Sequence, residues 1–201
     1  HLESQYPTYE ALPTLDIPIQ LVTHQVQHRF RSAQTGYPLI QFGPGILTVN
    51  DTENYIWDDF FKKIEEALKI LYRIHPLVNT LSVQSVSLRY IDALEFDFDN
   101  NNILTFLEDY LKISTTFADE PFQDTNITNK PVTLDIRYTF PKEKPKGVLH
   151  LQFRRGQYHA KDALIWETTI QSAGKDAPQK VDEILHWNDL AHKSTHKLFF
   201  G

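Results

Sequence analysis

His192 and His196 stand four apart in the segment ILHWNDLAHKSTHKLFF, with Asp189 three residues before the first. On a helix that spacing puts all three on one face, the arrangement from which metal ligands are often drawn. A working metal centre would also need a ligand from another element and groups that orient the imidazoles. No His-Glu-x-x-His accompanies the pair. The two histidines border an apolar stripe near the end of their helix, where cations suit the helix dipole. A structural or exposed role is therefore preferred, and Asp189, His192 and His196 are kept as weak metal candidates. No cofactor is expected.

A second pair, His24 and His28, falls in the alternating segment IQLVTHQVQHRFRS. There the two share a strand face with Val22, Val26 and Phe30. Half-buried histidines bonded to backbone or side-chain groups are the plainer reading. A paired acid–base or metal site would need histidines from other strands.

Arginine is the other chemistry-bearing residue. A guanidinium grips a carboxylate or phosphate through two parallel bonds, and on a sheet it more often pairs with a neighbouring acid. For Arg89 that acid is expected to be Asp135 or Glu167. Asp92, three residues on, points to the opposite face.

The segment QFGPGILTVNDTENYIW holds Gly43, Pro44 and Gly45. A dinucleotide-binding turn needs a third glycine and a helix that opens at once. Thr48 holds the third position, and a β-type run follows Gly45. A bend between two strands is the better reading. Asn50, Asp51 and Thr52 then read as a helix cap. No Gly-x-Ser-x-Gly elbow or phosphate-loop lysine pattern is present, and the acidic stretch EFDFDNNN lacks the glycine and the last glutamate of a calcium loop.

These residues must be held by elements whose patterns are visible. Strands are expected over 19–32, 37–42, 46–50, 80–96, 132–140, 148–155 and 163–171, the last three forming an antiparallel meander. Three helices are read. One runs from Thr52 to a stop at Pro76, with Trp57, Phe60, Phe61, Ile64, Leu68, Leu71 and Ile74 as its stripe. A short one spans Ile103 to Leu111. A long one spans about Ala177 to Phe200, with Asp176 as cap. Residues 1–18 read as a loose lead-in or as the end of an N-terminal helix. The expectation is one α+β domain: a mostly antiparallel sheet of about six strands with two long amphipathic helices on one face, an arrangement like that of helix-grip proteins. The other face would be polar and charge-balanced. It would carry Arg29, Arg89, Arg137, Arg154, Gln152 and Glu167.

The chain has 201 residues, 41% hydrophobic and 23% charged, with 13 Phe, 9 Tyr and 3 Trp to fill a core. Its net charge of −6 argues against a broad phosphate-binding face, so nucleic acid is not an expected partner. With no cysteine, disulfides, thiolate metal sites and a cysteine nucleophile are excluded. No apolar run has membrane-spanning length, and a cytoplasmic location is expected.

In their order and spacing, the strand containing Gln41 and Gly43, Asn50 before a helix with Tyr55 and Trp57, the Arg89-Tyr90-Ile91-Asp92 strand, and His192 before Phe199 resemble a sporadically distributed prokaryotic family of uncharacterised proteins. The resemblance covers the chain from about residue 19. It implies an N-terminal strand and helix, with residues 1–15 as the end of that helix and the strand ahead of them, and it implies no activity, cofactor or catalytic set. The functional expectation is a non-enzymatic binding domain that holds a protein partner or its own copy on the polar sheet face. The alternative is a small-ligand binder or enzyme, with a cavity near Tyr90, Tyr138, Phe153 and Trp166.

Overall fold

The structure is a computed structural model. It describes residues 6–18, 21, 24–52, 55–75 and 80–200, without the side chain of Phe200. Two readings fall outside these residues: the first part of the strand expected from Ile19, which includes Val22, and the helix stop at Pro76.

The described chain forms eight strands in two four-stranded antiparallel sheets, with three α-helices. This corrects the single sheet of about six strands beneath two helices. Alternation marks a strand but does not say which strand it pairs with, and pairing divides these strands into two sets. The contacts likewise divide the chain into two compact units: residues 1–82 with 180–185, and residues 83–179 with 186–201.

The first unit holds β1 (Thr8–Ala11), β2 (His28–Arg31), β3 (Leu39–Gly43) and β4 (Ile46–Asn50), in that order across the sheet. β1 lies within the expected lead-in; it is short, and its partner is twenty residues away. β3 and β4 meet at the Pro44-Gly45 turn, where Gly45 has φ +71. A Cβ on Gly43 would lie 1.8 Å from the Gln25 carbonyl oxygen, so only glycine lets the 24–27 segment run this close. One face carries Phe30, Ile40, Phe42, Leu47 and Val49. α1 (Trp57–Ile74) brings Ala67 and Ile70 into the cluster they form with Tyr6. Phe60, Ile64, Ala67 and Leu68 are its buried stripe, while Ile74 is exposed.

α1 starts later than expected, and Asn50, Asp51 and Thr52 do not cap it. Its N-cap is Ile56, with no side-chain cap bond. The short polar side chains that resemble a cap are used elsewhere. Asn50 donates to Gln41 and Thr48 on the sheet, and the buried Asp51 pairs with Lys63 at 2.6 Å.

The second unit holds β5 (Ser85–Glu95), α2 (Ile103–Leu111), β6 (Asp135–Glu143), β7 (Lys146–Tyr158) and β8 (Lys161–Ala173). β6, β7 and β8 form the meander, and β8 returns to pair with β5, giving the order β5-β8-β7-β6. The β5–β8 register runs unbroken from Ser85 opposite Ala173 to Glu95 opposite Ala163. The polar run before α2 is a turn held by Asp97, whose carboxylate accepts from the amides of Asp99 and Asn100; Asn102 caps α2 through the Leu104 amide.

The core of this unit is Phe96, Phe98, Ile103, Leu107, Leu151, Phe153 and Leu164, with Phe199 of α3 (Val181–Phe200) packed against it. α3 begins later than the expected Ala177. Asp176 ends a short 3-10 turn and pairs with Lys146 at 3.3 Å instead of capping. No described helix is long and apolar enough to cross a membrane.

Candidate functional site

Alternation gives the second sheet two chemically distinct faces. Leu88, Leu164, Phe153 and Ile170 point inward and are buried. The opposite face carries five of the six residues expected on a polar face: Arg89 on β5, Glu167 on β8, Gln152 and Arg154 on β7, and Arg137 on β6. Arg29 is not with them, which corrects the reading of one common face. It belongs to the first sheet, where it donates to Glu10 at 3.0 Å. That sheet has a smaller polar face of its own, with Gln41 accepting from Thr48 and Asn50.

The register sets the outer face of the second sheet in rows. Arg137, Gln152, Glu167 and Ile91 lie across one row; Asp135, Arg154, Ile165 and Ala93 lie across the next. Arg137 grips Asp135 with two bonds, at 3.1 and 2.9 Å, and Gln152 adds a third at 2.8 Å. These bonds hold the Asp135 carboxyl below the usual carboxylate range, and the same pairing raises Arg137. Arg89 meets Glu167 at 2.5 Å, one of the two pairings expected for it. Arg154 makes no ion pair among the described residues, although its charge is felt by Asp135. Its guanidinium lies near Gly156.

Apolar surface adjoins these charges. Ile91 is 57% exposed on the edge strand, in the row of Arg137, Gln152 and Glu167 and two residues from Arg89. Sequence reasoning missed Ile91, because alternation there reads as a core strand. Its odd-numbered place in the Arg89 series was the available signal. Ile91 thus adds one exposed apolar side chain at the sheet edge, beside the Arg89–Glu167 pair.

The inward face carries its own polar groups. The Tyr90 hydroxyl and His192 Nδ1 lie 2.8 Å apart, tying β5 to α3. Thr168, opposite Tyr90 in the ladder, is 1% exposed, and its hydroxyl has no partner among the described residues. Asp92 stands opposite Trp166, and burial raises its carboxyl above the ordinary value while the Trp166 indole works the other way.

The metal candidates do not converge. Asp189 pairs with Lys193 at 2.7 Å, His192 is engaged by Tyr90, and His196 is exposed. Among the described residues, no group of three His, Asp or Glu is placed to hold a metal ion. His24 lies in a turn with φ 62, and His28 lies in β2, bonded to the Tyr9 hydroxyl at 2.9 Å, so the two do not share a strand. A surface cleft of about 440 Å³ opens between Glu95, Phe96, Asp97, Lys161 and Asp162. Its charges are committed: Lys161 pairs with Glu95, and Asp162 with Arg155.

No family model matches the chain, and neither a curated protein nor a solved structure is similar to it.

Proposed function

We propose that this chain is a non-enzymatic binding domain whose second sheet recognises a protein through its outer face. The carrying observation is Ile91: a large apolar side chain 57% exposed, two residues from Arg89 and directly opposite Glu167. The contact would place Ile91 at its centre. Arg89, Arg137 and Arg154, with Gln152 and Glu167, would supply direction and selectivity at its rim. The order of its motifs supports membership of the prokaryotic family it resembles.

The test is the double variant Arg89→Ala with Arg137→Ala. Both side chains are well exposed, so folding is expected to hold by circular dichroism. Immobilised variant is expected to lose proteins that the wild-type chain retains from an extract of its native host. Identical retention by both would end this reading.

A second reading is supported by the Thr168 hydroxyl, buried without a partner among the described residues and opposite Tyr90, which bonds His192 of α3. An orphaned hydroxyl of this kind suits a small polar ligand held between sheet and helix in the manner of helix-grip proteins. Against it, Tyr138, Phe153 and Trp166 pack into the core cluster. Native mass spectrometry separates the two: a retained mass of a few hundred daltons favours the ligand, and a bare chain favours the surface.

A further inference from the structure

We infer that β5 pairs antiparallel with β5 of a second copy, joining two second sheets into one of eight strands about a two-fold axis at Ile91. This rests on the proposed binding role of the sheet and names the chain itself as partner.

The ladder decides which backbone groups of β5 are free. The amide of Gly174 bonds the carbonyl of Gln84, and the amide of Phe96 bonds that of Asp162. With an unbroken register between these ends, the even-numbered residues of β5 turn their N–H and C=O toward β8. The odd-numbered ones, Ser85 to Glu95, turn theirs outward. Among the described residues, β5 has no strand on that side.

The other edge of the sheet is protected. Arg155 donates its amide to Leu134, so the odd-numbered residues of β6 face outward, and Pro141 removes one of their donors. β5 contains no proline and no lysine, and it exposes Ile91 and Leu94. Such an edge is a template for another strand.

The side chains choose the partner and the register. With Ile91 opposite its own copy, Arg89 lies diagonal to Glu95 of the second chain, and Leu88 lies opposite Leu94. Shifting the axis to Tyr90 brings Arg89 diagonal to its own copy, and shifting it to Arg89 sets the two arginines face to face. The one like-charge approach in the favoured register is Asp92 diagonal to its counterpart. The two outer faces become continuous, so the exposed Ile91 residues meet at the centre of a surface rimmed by arginines from both copies.

The chain has no cysteine, so one introduced thiol reports on geometry alone. Across a hydrogen-bonded antiparallel pair the Cα atoms are about 5.5 Å apart, within disulfide range. Ile91→Cys is therefore expected to form a disulfide-linked dimer under mild oxidation. Ala93→Cys would hold its two thiols roughly 13 Å apart, four residues out of register, and is expected to stay unlinked. Sedimentation of the untagged wild-type chain should show a reversible dimer. Ile91→Pro, which removes an outward N–H and the apolar side chain at the axis, should shift it to monomer with an unchanged circular dichroism spectrum, and Asp92→Asn should tighten it. A wild-type monomer at all concentrations would overturn the inference, as would equal cross-linking of both cysteine variants. Either result would leave the binding face itself to be judged separately, by the arginine double variant.

Discussion

The Tyr90 hydroxyl lies 2.8 Å from His192 Nδ1, joining residues more than a hundred positions apart in the chain. Each side chain has a separate meaning in the sequence: Tyr90 as an aromatic beside a possible cavity, His192 as a weak metal ligand. Together they form one polar tie between β5 and α3. Tyr90→Phe keeps the ring and removes the bond, and is expected to cost about 1 kcal/mol in urea denaturation. The His192 ring resonances should shift in the same variant, whereas those of His196 should move much less. Loss of stability without a change at His192 would count against the tie.

The Gly-Pro-Gly segment makes an ordered pair of predictions. Ala at Gly43 would drive a Cβ into the Gln25 carbonyl oxygen, 1.8 Å away, and backbone must move to admit it. Gly45 stands at φ +71, where alanine costs the left-handed conformation, about 1–2 kcal/mol, and meets only the His24 ring at 3.3 Å. Gly43→Ala should therefore be the worse of the two, by about 1 kcal/mol or more. The opposite order in chemical denaturation would refute the close approach of residues 24–27.

Tyr6 carries a pH dependence. Burial raises its phenol from 10.0 to about 12, with help from the nearby Glu66 and Asp51 charges. The folded state keeps this proton at pH values where the unfolded chain has released it. The contribution of Tyr6 is thus complete below pH 10 and is lost as pH rises toward 12. The full loss is about 2–3 kcal/mol at 1.36 kcal/mol per pKa step. Tyr6→Phe should flatten that part of the stability profile, read as the difference from wild type at each pH. Parallel profiles would show that the phenol is as accessible folded as unfolded.

Much of this architecture was legible where local chemistry decides it. Ile103–Leu111 has the expected bounds because Asn102 is a true cap and an apolar stripe follows. The Pro44-Gly45 turn was legible because it needs a glycine at positive φ. Alternation placed Arg89 on the polar face and left Asp135 or Glu167 as its acid; strand pairing selects Glu167. What could not be read depends on partners distant in sequence. Thr8–Ala11 becomes a strand through contacts such as Tyr9 with His28 and Glu10 with Arg29. Arg29 left the common face because its strand pairs with β1 and β3, a choice that alternation does not encode. Asn50 and Asp51 looked like caps because the same short side chains serve a cap, a sheet bond or an ion pair equally well. Ile91 was missed for the inverse reason: an apolar residue in a strand reads as core unless the strand is known to be an edge.

Nothing in the sequence pairs Ser172 with Trp187, yet the two join α3 to β8 at a fully buried point. The indole N–H donates to the Ser172 hydroxyl at 2.6 Å, and that hydroxyl donates in turn to the Lys146 carbonyl. Ser172 is 1% exposed, so water cannot replace it. Ser172→Ala would leave both the indole donor and the carbonyl unpaired, and is expected to cost about 2–3 kcal/mol, more than a truncation of one oxygen usually does. Ser87→Ala, on the exposed edge strand, should cost almost nothing. Trp187→Phe removes the donor but also packing, so the single variant is ambiguous. A double-mutant cycle isolates the bond: with Trp187→Phe in place, the cost of Ser172→Ala should fall by about 1 kcal/mol. Strict additivity would mean that the pair is adjacent without being coupled. Because this chain of bonds lies on the inward face, Ser172→Ala should leave retention of partners and the Ile91→Cys cross-link intact in whatever fraction remains folded. That separates a loss of stability from a loss of binding.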